Sequence, residues 1–212
     1  MAVQSQAALR ATVTGPLFQV YVSVENTGGK KVRIHRLSLA VKRDGQDVLR
    51  VDGSGYFESP SSPSAVIFRP FDLPPEQTWA HNVNFYPLPS REEDRAFRKE
   101  KAALLAAFNQ QARSRPEGDT TPVIAPPDLY ALLNARFERG FVWTQGEYQA
   151  SILALDKDGR ALAEGRYRFV LFESDRDELK AAGSRILVGE GVVFDPKEPI
   201  TLVVPLALDN TS

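Results

Sequence analysis

Apolar and polar residues alternate along several stretches of the chain. From Phe18 to Val24 every second residue is apolar, and Trp79 to Phe85 repeats the pattern. This period of two is typical of a strand with one buried face. Tyr148–Leu155 is a further predicted strand. The pattern therefore predicts a mainly β protein in which two antiparallel sheets bury their apolar sides against each other.

Other segments predict how the strands are connected. The inward phase slips by one residue at His35–Arg36, which predicts a β-bulge. Asp44–Gly45 has the composition of a hairpin turn. Residues 52–64 are rich in Gly, Ser and Pro, so they are predicted to form a loop.

Residues 87–140 interrupt the β pattern. Ser90 followed by Glu93 forms a capping box, which predicts a helix over residues 91–112. A second helix is predicted over residues 128–138. We expect residues 1–212 to form a single domain that contains residues 87–140 as a helical insertion.

The last third of the chain returns to strand patterns. Residues 161–172 are predicted to form a strand with apolar residues on both faces toward its end, which favours a central position in a sheet. Ser174 is predicted to cap a short helix over residues 175–182. A hairpin that pairs residues 186–194 with residues 200–206 is expected to follow.

Two short segments resemble immunoglobulin-like modules. The segment from Gly146 to Ala150 resembles the tyrosine corner, and Val22 to Gly28 resembles an early strand and turn of bacterial modules. Over residues 7–172 the chain thus resembles the immunoglobulin-like and fibronectin type III-like β-sandwich superfamily. The resemblance implies a mainly β fold, an immunoglobulin-like antiparallel β-sandwich, with the helical insertion and a short C-terminal helix plus hairpin. It also implies that the Tyr148 hydroxyl bonds back across the corner.

Composition removes several classes of function. The chain has no cysteine, so disulfides, thiolate metal sites and a cysteine nucleophile are excluded. The formal net charge is −1, which gives no global attraction to nucleic acid. No apolar run approaches the ~20 residues of a membrane span, and residues 1–9 lack the pattern of a secretory signal. No nucleotide-binding or catalytic motif is present, so we predict neither a cofactor nor a metal.

Charge and aromatic residues give weak candidates for a binding site. Six cations fall within fourteen residues without an acid, which predicts a basic strip that an acidic partner could recognise; an alternative is a solvated face or a charged edge strand. His81 falls on an apolar face beside Trp79, where it is either a core residue or a binding residue. The strip comprises Lys30, Lys31, Arg33, Arg36, Lys42 and Arg43, and the binding candidates are Arg33, His35, Arg36, Trp79 and His81.

Three functions remain open on the sequence. The leading hypothesis is a non-catalytic interaction module that binds another protein or an acidic ligand. It would be the soluble ectodomain of a membrane-anchored bacterial protein, outside the cytoplasm. The second is a small-ligand receptor or enzyme whose pocket lies between the sheets and the insertion, built from Trp79, His81 and residues 128–141. The third is a structural spacer or a subunit of an oligomer.

Overall fold

Antiparallel strands are the most frequent secondary structure in the computed structural model, which describes residues 1–59 and 61–209. The strands are β1 (Ala2–Thr12), β2 (Gly15–Glu25), β3 (Val32–Ile34), β4 (Arg36–Arg43), β5 (Gln46–Phe57), β6 (Val66–Ile67), β7 (Phe71–Leu73), β8 (Thr78–Phe85), β9 (Gly146–Leu155), β10 (Ala161–Leu171), β11 (Leu202–Pro205) and β12 (Ala207–Leu208). The helices are α1 (Arg91–Arg113), α2 (Pro127–Gly140), α3 (Glu173–Lys180) and α4 (Ala182–Arg185), and a 3₁₀ turn covers Ile186–Val188. The prediction of a mainly β protein is confirmed.

The strands pair in the order β11-β1-β2-β8-β5-β4-β9-β10-β12. The strand β5 belongs to both halves of this path, because it pairs with β4 up to Asp52 and with β8 from Gly53 onward. At Gly53 an added Cβ would come within 3.2 Å of the Val83 side chain, so glycine permits the close approach. The short strand β6 pairs with β5, while β3 and β7 pair with each other in a separate sheet.

One C-terminal segment touches both ends of the path. The strand β11 pairs with β1 (Gln6 opposite Pro205), and β12 pairs with β10 (Arg168 opposite Ala207). Only Leu206 separates the two strands, and its N–H donates to the Ser5 carbonyl at 2.7 Å. The segment therefore changes its hydrogen-bonding partner within three residues.

Alternate residues of the strands form the core. In β2 the buried side chains are Phe18, Val20, Val22 and Val24, as the period of two predicts. They belong to the same apolar cluster as the inward residues of β9. Each such side chain contributes roughly 1.5–3 kcal/mol by leaving water. The expected common core of the 18–24 and 148–155 segments is therefore confirmed.

A buried corner joins the start of β9 to the helices. The Tyr148 hydroxyl donates to the Thr144 carbonyl at 2.7 Å and lies 3.2 Å from the Val142 carbonyl oxygen. The Trp143 indole N–H donates to the Arg10 carbonyl at 2.8 Å. The Tyr148 ring also stacks on Phe169 with 4.8 Å between ring centroids. Polar atoms in this corner thus have partners although both rings are buried.

The two predicted long helices are confirmed. At the start of α1, the Ser90 hydroxyl accepts from the Glu93 N–H and the Glu93 carboxylate accepts from the Ser90 N–H. The helices α1 and α2 are held together by Arg136, which donates two hydrogen bonds of 2.9 and 3.0 Å to the Glu100 carboxylate. Their buried side chains, Leu104, Phe108, Leu133 and Phe137, join the main apolar cluster.

The predicted C-terminal hairpin is wrong. Residues 186–188 form the 3₁₀ turn, and Gly189 and Gly191 follow with positive φ angles of 83° and 74°, so this stretch bends instead of extending. Residues 202–205 do form a strand, but its partner is β1. The apolar pattern does not predict β1, because its inward residues Ala7, Leu9 and Ala11 are mostly small.

Three smaller expectations also differ. The phase slip at His35–Arg36 is not a bulge within one strand, because the chain passes there from β3, paired with β7, to β4, paired with β9. Residues 52–57 belong to β5 and not to a loop. Helix α3 starts at Glu173 with Phe172 as its N-cap, so Ser174 lies inside the first turn.

Candidate interaction site

The predicted basic strip is divided among separate surfaces. Lys31 and Arg33, beside and on β3, each contact the Asp72 carboxylate at 3.0 Å. The Lys31 hydrogen bond, followed by that of Arg33, holds the pKa of Asp72 below its ordinary value. Arg36 lies at the start of β4, 4.0 Å from an oxygen of Asp52. Two cations of the basic strip, Lys31 and Arg33, therefore already share Asp72 as an acidic partner.

The remaining members of the strip lie elsewhere. Lys42 is exposed near the end of β4, whereas the next residue, Arg43, donates a hydrogen bond to the Thr144 hydroxyl and lies 3.6 Å from Asp44. The half-buried His35 donates its backbone N–H to the Leu155 carbonyl at 2.8 Å. The structure does not bring Arg33, His35 and Arg36 to a common cleft.

Trp79 and His81 meet in a half-buried aromatic cluster. The His81 ring lies 4.8 Å from both the Trp79 and the Tyr56 rings, and Trp79 stacks on Phe71 at 4.8 Å. The His81 Nδ1 atom lies 3.1 Å from the Phe57 carbonyl oxygen. These rings fill the space among β5, β7 and β8, so most of their surface is already used for packing.

The expected pocket between the sheets and the insertion contains neither Trp79 nor His81. A cavity of about 300 Å³ lies between the β1–β2 turn and the helices, and Phe97 and Arg136 contribute to its wall. Trp79 and His81 do not line it. Among the described residues, no group of three or more His, Asp or Glu side chains is arranged to hold a metal ion.

A groove lies where β10 and the C-terminal segment diverge. Pairing between β10 and β12 ends at Arg168 and Ala207, and Pro205 lies two residues before Ala207 in the sequence. Proline has no N–H to donate to a ladder, which explains why the pairing stops before it. The resulting fork groove has a volume of about 870 Å³ and is bordered by β9, β10 and residues 202–207.

Apolar side chains on the outer surface line the fork groove. Val170 is 47% exposed, Phe172 67% and Val203 57%, and Pro205 beside them is also exposed. We call these four residues the apolar patch. Isolated exposed apolar residues are ordinary, but several around one groove are typical of a binding surface.

Acidic side chains border the apolar patch. Glu147 on β9 is directly opposite Val170, so the two side chains are neighbours on the same face. The Asp175 carboxylate accepts a hydrogen bond from the Phe172 N–H at 2.7 Å. Asp44 in turn accepts from the Glu147 N–H at 3.1 Å. We call Asp44, Glu147 and Asp175 the acidic rim.

The apolar run at the end of β10 is the sequence signal for this groove. The run from Phe169 to Phe172 is apolar on both faces, which predicts a central strand, and β10 indeed has β9 on one side and β12 on the other. The inward residues Phe169 and Leu171 are indeed buried, whereas Val170 and Phe172 face outward. Beyond Arg168, no described residue pairs with β10 on the side away from β9. The excess of apolar residues therefore marks an open surface.

The shifted pKa values of other residues have structural causes. Backbone N–H groups hold the pKa of Asp156 below its ordinary value in the β9–β10 turn, and the Ser90 N–H does the same for Glu93 at the start of α1. Burial raises the pKa of Tyr148 and Tyr167 in the core. These shifts follow from turns, caps and packing, so they do not indicate a reactive group.

Comparisons with known proteins leave the family open. No protein-family model matches the chain, and no curated protein matches it at a significant level. A crystal structure of a protein from Archaeoglobus fulgidus is similar with 10% sequence identity and a TM-score of 0.32, over 81% of this chain and 98% of that chain. This similarity is too weak to support an inference. No helix within residues 1–59 and 61–209 has the length and apolar character required to cross a membrane.

Proposed function

We propose that this chain is a non-catalytic protein-interaction module on an immunoglobulin-like β-sandwich, and that it binds its partner through the fork groove. The observation that carries the proposal is the apolar patch around the fork groove, which has a volume of about 870 Å³. Packing within the chain does not require this patch, because its side chains face away from the core.

The order of the strands supports the sandwich. Immunoglobulin-like domains have one sheet in the order A-B-E-D and another in which C′ can extend C-F-G. If β1, β2, β4, β8, β9 and β10 are A, B, C, E, F and G, the order of this chain agrees with both sheets. The strand β5 then occupies the C′ position beside β4 and the D position beside β8.

The corner at Tyr148 also supports the sandwich. In immunoglobulin-like domains a Tyr near the start of strand F donates its hydroxyl to backbone a few residues upstream. Tyr148 is near the start of β9 and donates to the carbonyl four residues before it. The helices α1 and α2 then form an insertion between strands E and F.

A peptide selection tests the proposed function. We expect a random display library to yield peptides that bind the purified chain. Replacing Phe172 by Ser should weaken those peptides by about tenfold or more, as loss of a central apolar anchor does. The matched control is Ile67→Ser on β6, which changes a similarly exposed apolar residue outside the groove.

The outcomes of the selection are distinct. Loss of binding in Phe172→Ser with full binding in Ile67→Ser would support the proposal. A library that yields no binder would overturn the interaction module. Binders that tolerate Phe172→Ser would overturn the assignment of the function to the fork groove. Circular dichroism and thermal unfolding should verify that both variants fold.

A further inference from the structure

We infer that the fork groove selects an extended segment of a partner protein that is both apolar and basic. The inference rests on the proposed function and adds the chemistry of the partner. The segment would place apolar side chains on the apolar patch and a Lys or Arg side chain against the acidic rim. This differs from the acidic partner expected from the basic strip.

The residues that line the fork groove carry more negative than positive charge. The lining contains three acids, Asp44, Glu147 and Asp175, and one cation, Arg168. Arg168 lies 3.4 Å from the Asp209 carboxylate, and Asp44 lies 3.6 Å from Arg43, so both of these charges have an opposite partner within the chain and the charges of Glu147 and Asp175 remain. The groove therefore has an excess of negative charge, which complements a cationic segment and disfavours an acidic one.

Two of the acids lie directly beside residues of the apolar patch. Glu147 is the direct neighbour of Val170 across the β9–β10 pair, and Asp175 is bonded to the backbone of Phe172. A partner whose apolar side chain contacts Val170 or Phe172 would thus have its adjacent positions near a carboxylate. A partner with an apolar residue and a Lys or Arg close to it in sequence can contact the apolar patch and pair with Glu147 or Asp175, whereas a purely apolar partner leaves these two acids without a counter-charge.

The divergence of β10 from the C-terminal segment favours an extended partner segment over a helix. The strands β10 and β12 are still paired at Arg168 and Ala207, and beyond this pair β10 and the C-terminal segment diverge. An α-helix with side chains is about 10–12 Å wide, whereas an extended strand needs only about 4.8 Å from its neighbour. The edge of β10 beyond Arg168 therefore suits an extended chain, which can take the position of a next strand.

The backbone of β10 offers hydrogen bonds to such a chain. The Arg166 carbonyl faces the β12 side, where it accepts from the Asp209 N–H at 2.9 Å. Because backbone groups alternate along a strand, those of Val170 face the same side. Val170 lies beyond the last β10–β12 pair, so its N–H and C=O can pair with an added segment.

Binding of two synthetic peptides tests the inference. Both alternate Val and Thr around one Phe; one carries two lysines and its twin carries two glutamates at the same positions. Fluorescence anisotropy should show the lysine peptide bound about tenfold more tightly, because opposite charges meet in the groove. Raising the salt concentration from 0.05 to 0.5 M should reduce that difference, since exposed charges are screened.

Variants at Glu147 make the test specific. Glu147→Lys should reverse the preference for the two peptides, and Glu147→Gln should reduce it. The control Glu58→Lys changes the net charge equally after the end of β5, away from the groove lining, and should keep the preference of the wild type.

Each contrary result has a separate meaning. Equal binding of both peptides, abolished by Phe172→Ser, would overturn the charge selection and leave the proposed function intact. Failure of both peptides while display-selected peptides bind would overturn the extended apolar and basic partner. If sedimentation shows a dimer that Phe172→Ser converts to a monomer, the occupant is a second copy of this chain, and the inference is overturned.

Discussion

The two faces of β10 differ in how the molecule uses their apolar residues. On the inner face, Tyr167, Phe169 and Leu171 are each at most 4% exposed. On the outer face, Val170 is exposed at the fork groove, and Phe172, the residue directly after the strand, is exposed beside it. The inner residues are explained by the stability of the fold, but the outer residues are not. The difference teaches that one strand can carry buried apolar residues that stabilise the fold and, on its other face, exposed apolar residues that are available for binding.

The largest effect is expected from Phe169→Ala on the inner face. This change removes the ring that stacks on Tyr148 and lies 6.2 Å from Phe18, and it leaves a cavity. The free energy of unfolding should fall by about 3–5 kcal/mol. Urea unfolding followed by circular dichroism measures it, with Val170→Ala on the outer face as control. Equal losses in the two variants would contradict the distinction between the faces.

A smaller loss is expected from Tyr148→Phe, which keeps the ring and removes the hydroxyl. The Thr144 carbonyl would lose its donor inside the protein, at a cost of about 1–2 kcal/mol. Tyr167→Phe is the matched control, because the Tyr167 hydroxyl accepts from the Val3 N–H near the start of β1. We expect the control to lose less in the same urea experiment, and a larger loss there would contradict the importance of the corner.

The same two tyrosines predict a loss of stability in alkali. Burial raises the pKa of Tyr148 and Tyr167 above the ordinary value of 10.0. As the pH rises past 10.0, the unfolded chain ionises first, so the stability is full below that pH and falls as the pH rises toward the folded-state pKa. Urea midpoints at pH 9 and 11 should differ more in the wild type than in Tyr148→Phe. An identical pH dependence would contradict the contribution of Tyr148.

The smallest effect on stability is expected from Phe172→Ala on the outer face. Its exposed ring contributes little to the core, so the free energy of unfolding should change by no more than about 0.5 kcal/mol. Binding of the peptides selected from the display library should nevertheless weaken. Thermal unfolding and anisotropy on the same sample measure both effects. A large loss of stability would place Phe172 with the inner residues and weaken the proposed function.

Sequence patterns predicted those elements whose signals are local. The period of two identified β2, β8 and β9, and the Ser90–Glu93 capping box identified the start of α1. Partner choice depends on contacts between residues far apart in the sequence. The pairing of β11 with β1, almost two hundred residues away, therefore left no readable pattern, and residues 186–206 were predicted wrongly as a hairpin.

The candidate site was less predictable than the fold. The fork groove is lined by none of the residues with the chemically distinctive side chains that indicated a site in the sequence, which are Arg33, His35, Arg36, Trp79 and His81. The groove depends on which strand edge remains without a partner, and a single sequence does not specify this. The usable signals were the apolar run ending at Phe172 and the position of Pro205, and both needed the strand order before they could be interpreted.

The passage of β5 from β4 to β8 has a consequence for how this protein opens. Since one continuous backbone carries hydrogen bonds to both halves of the path, neither half can detach as an independent block without breaking the ladder around Gly53. Amide hydrogens of β4 and β8 are therefore expected to exchange with solvent in a single cooperative event, whereas the last turns of the helices should fray separately.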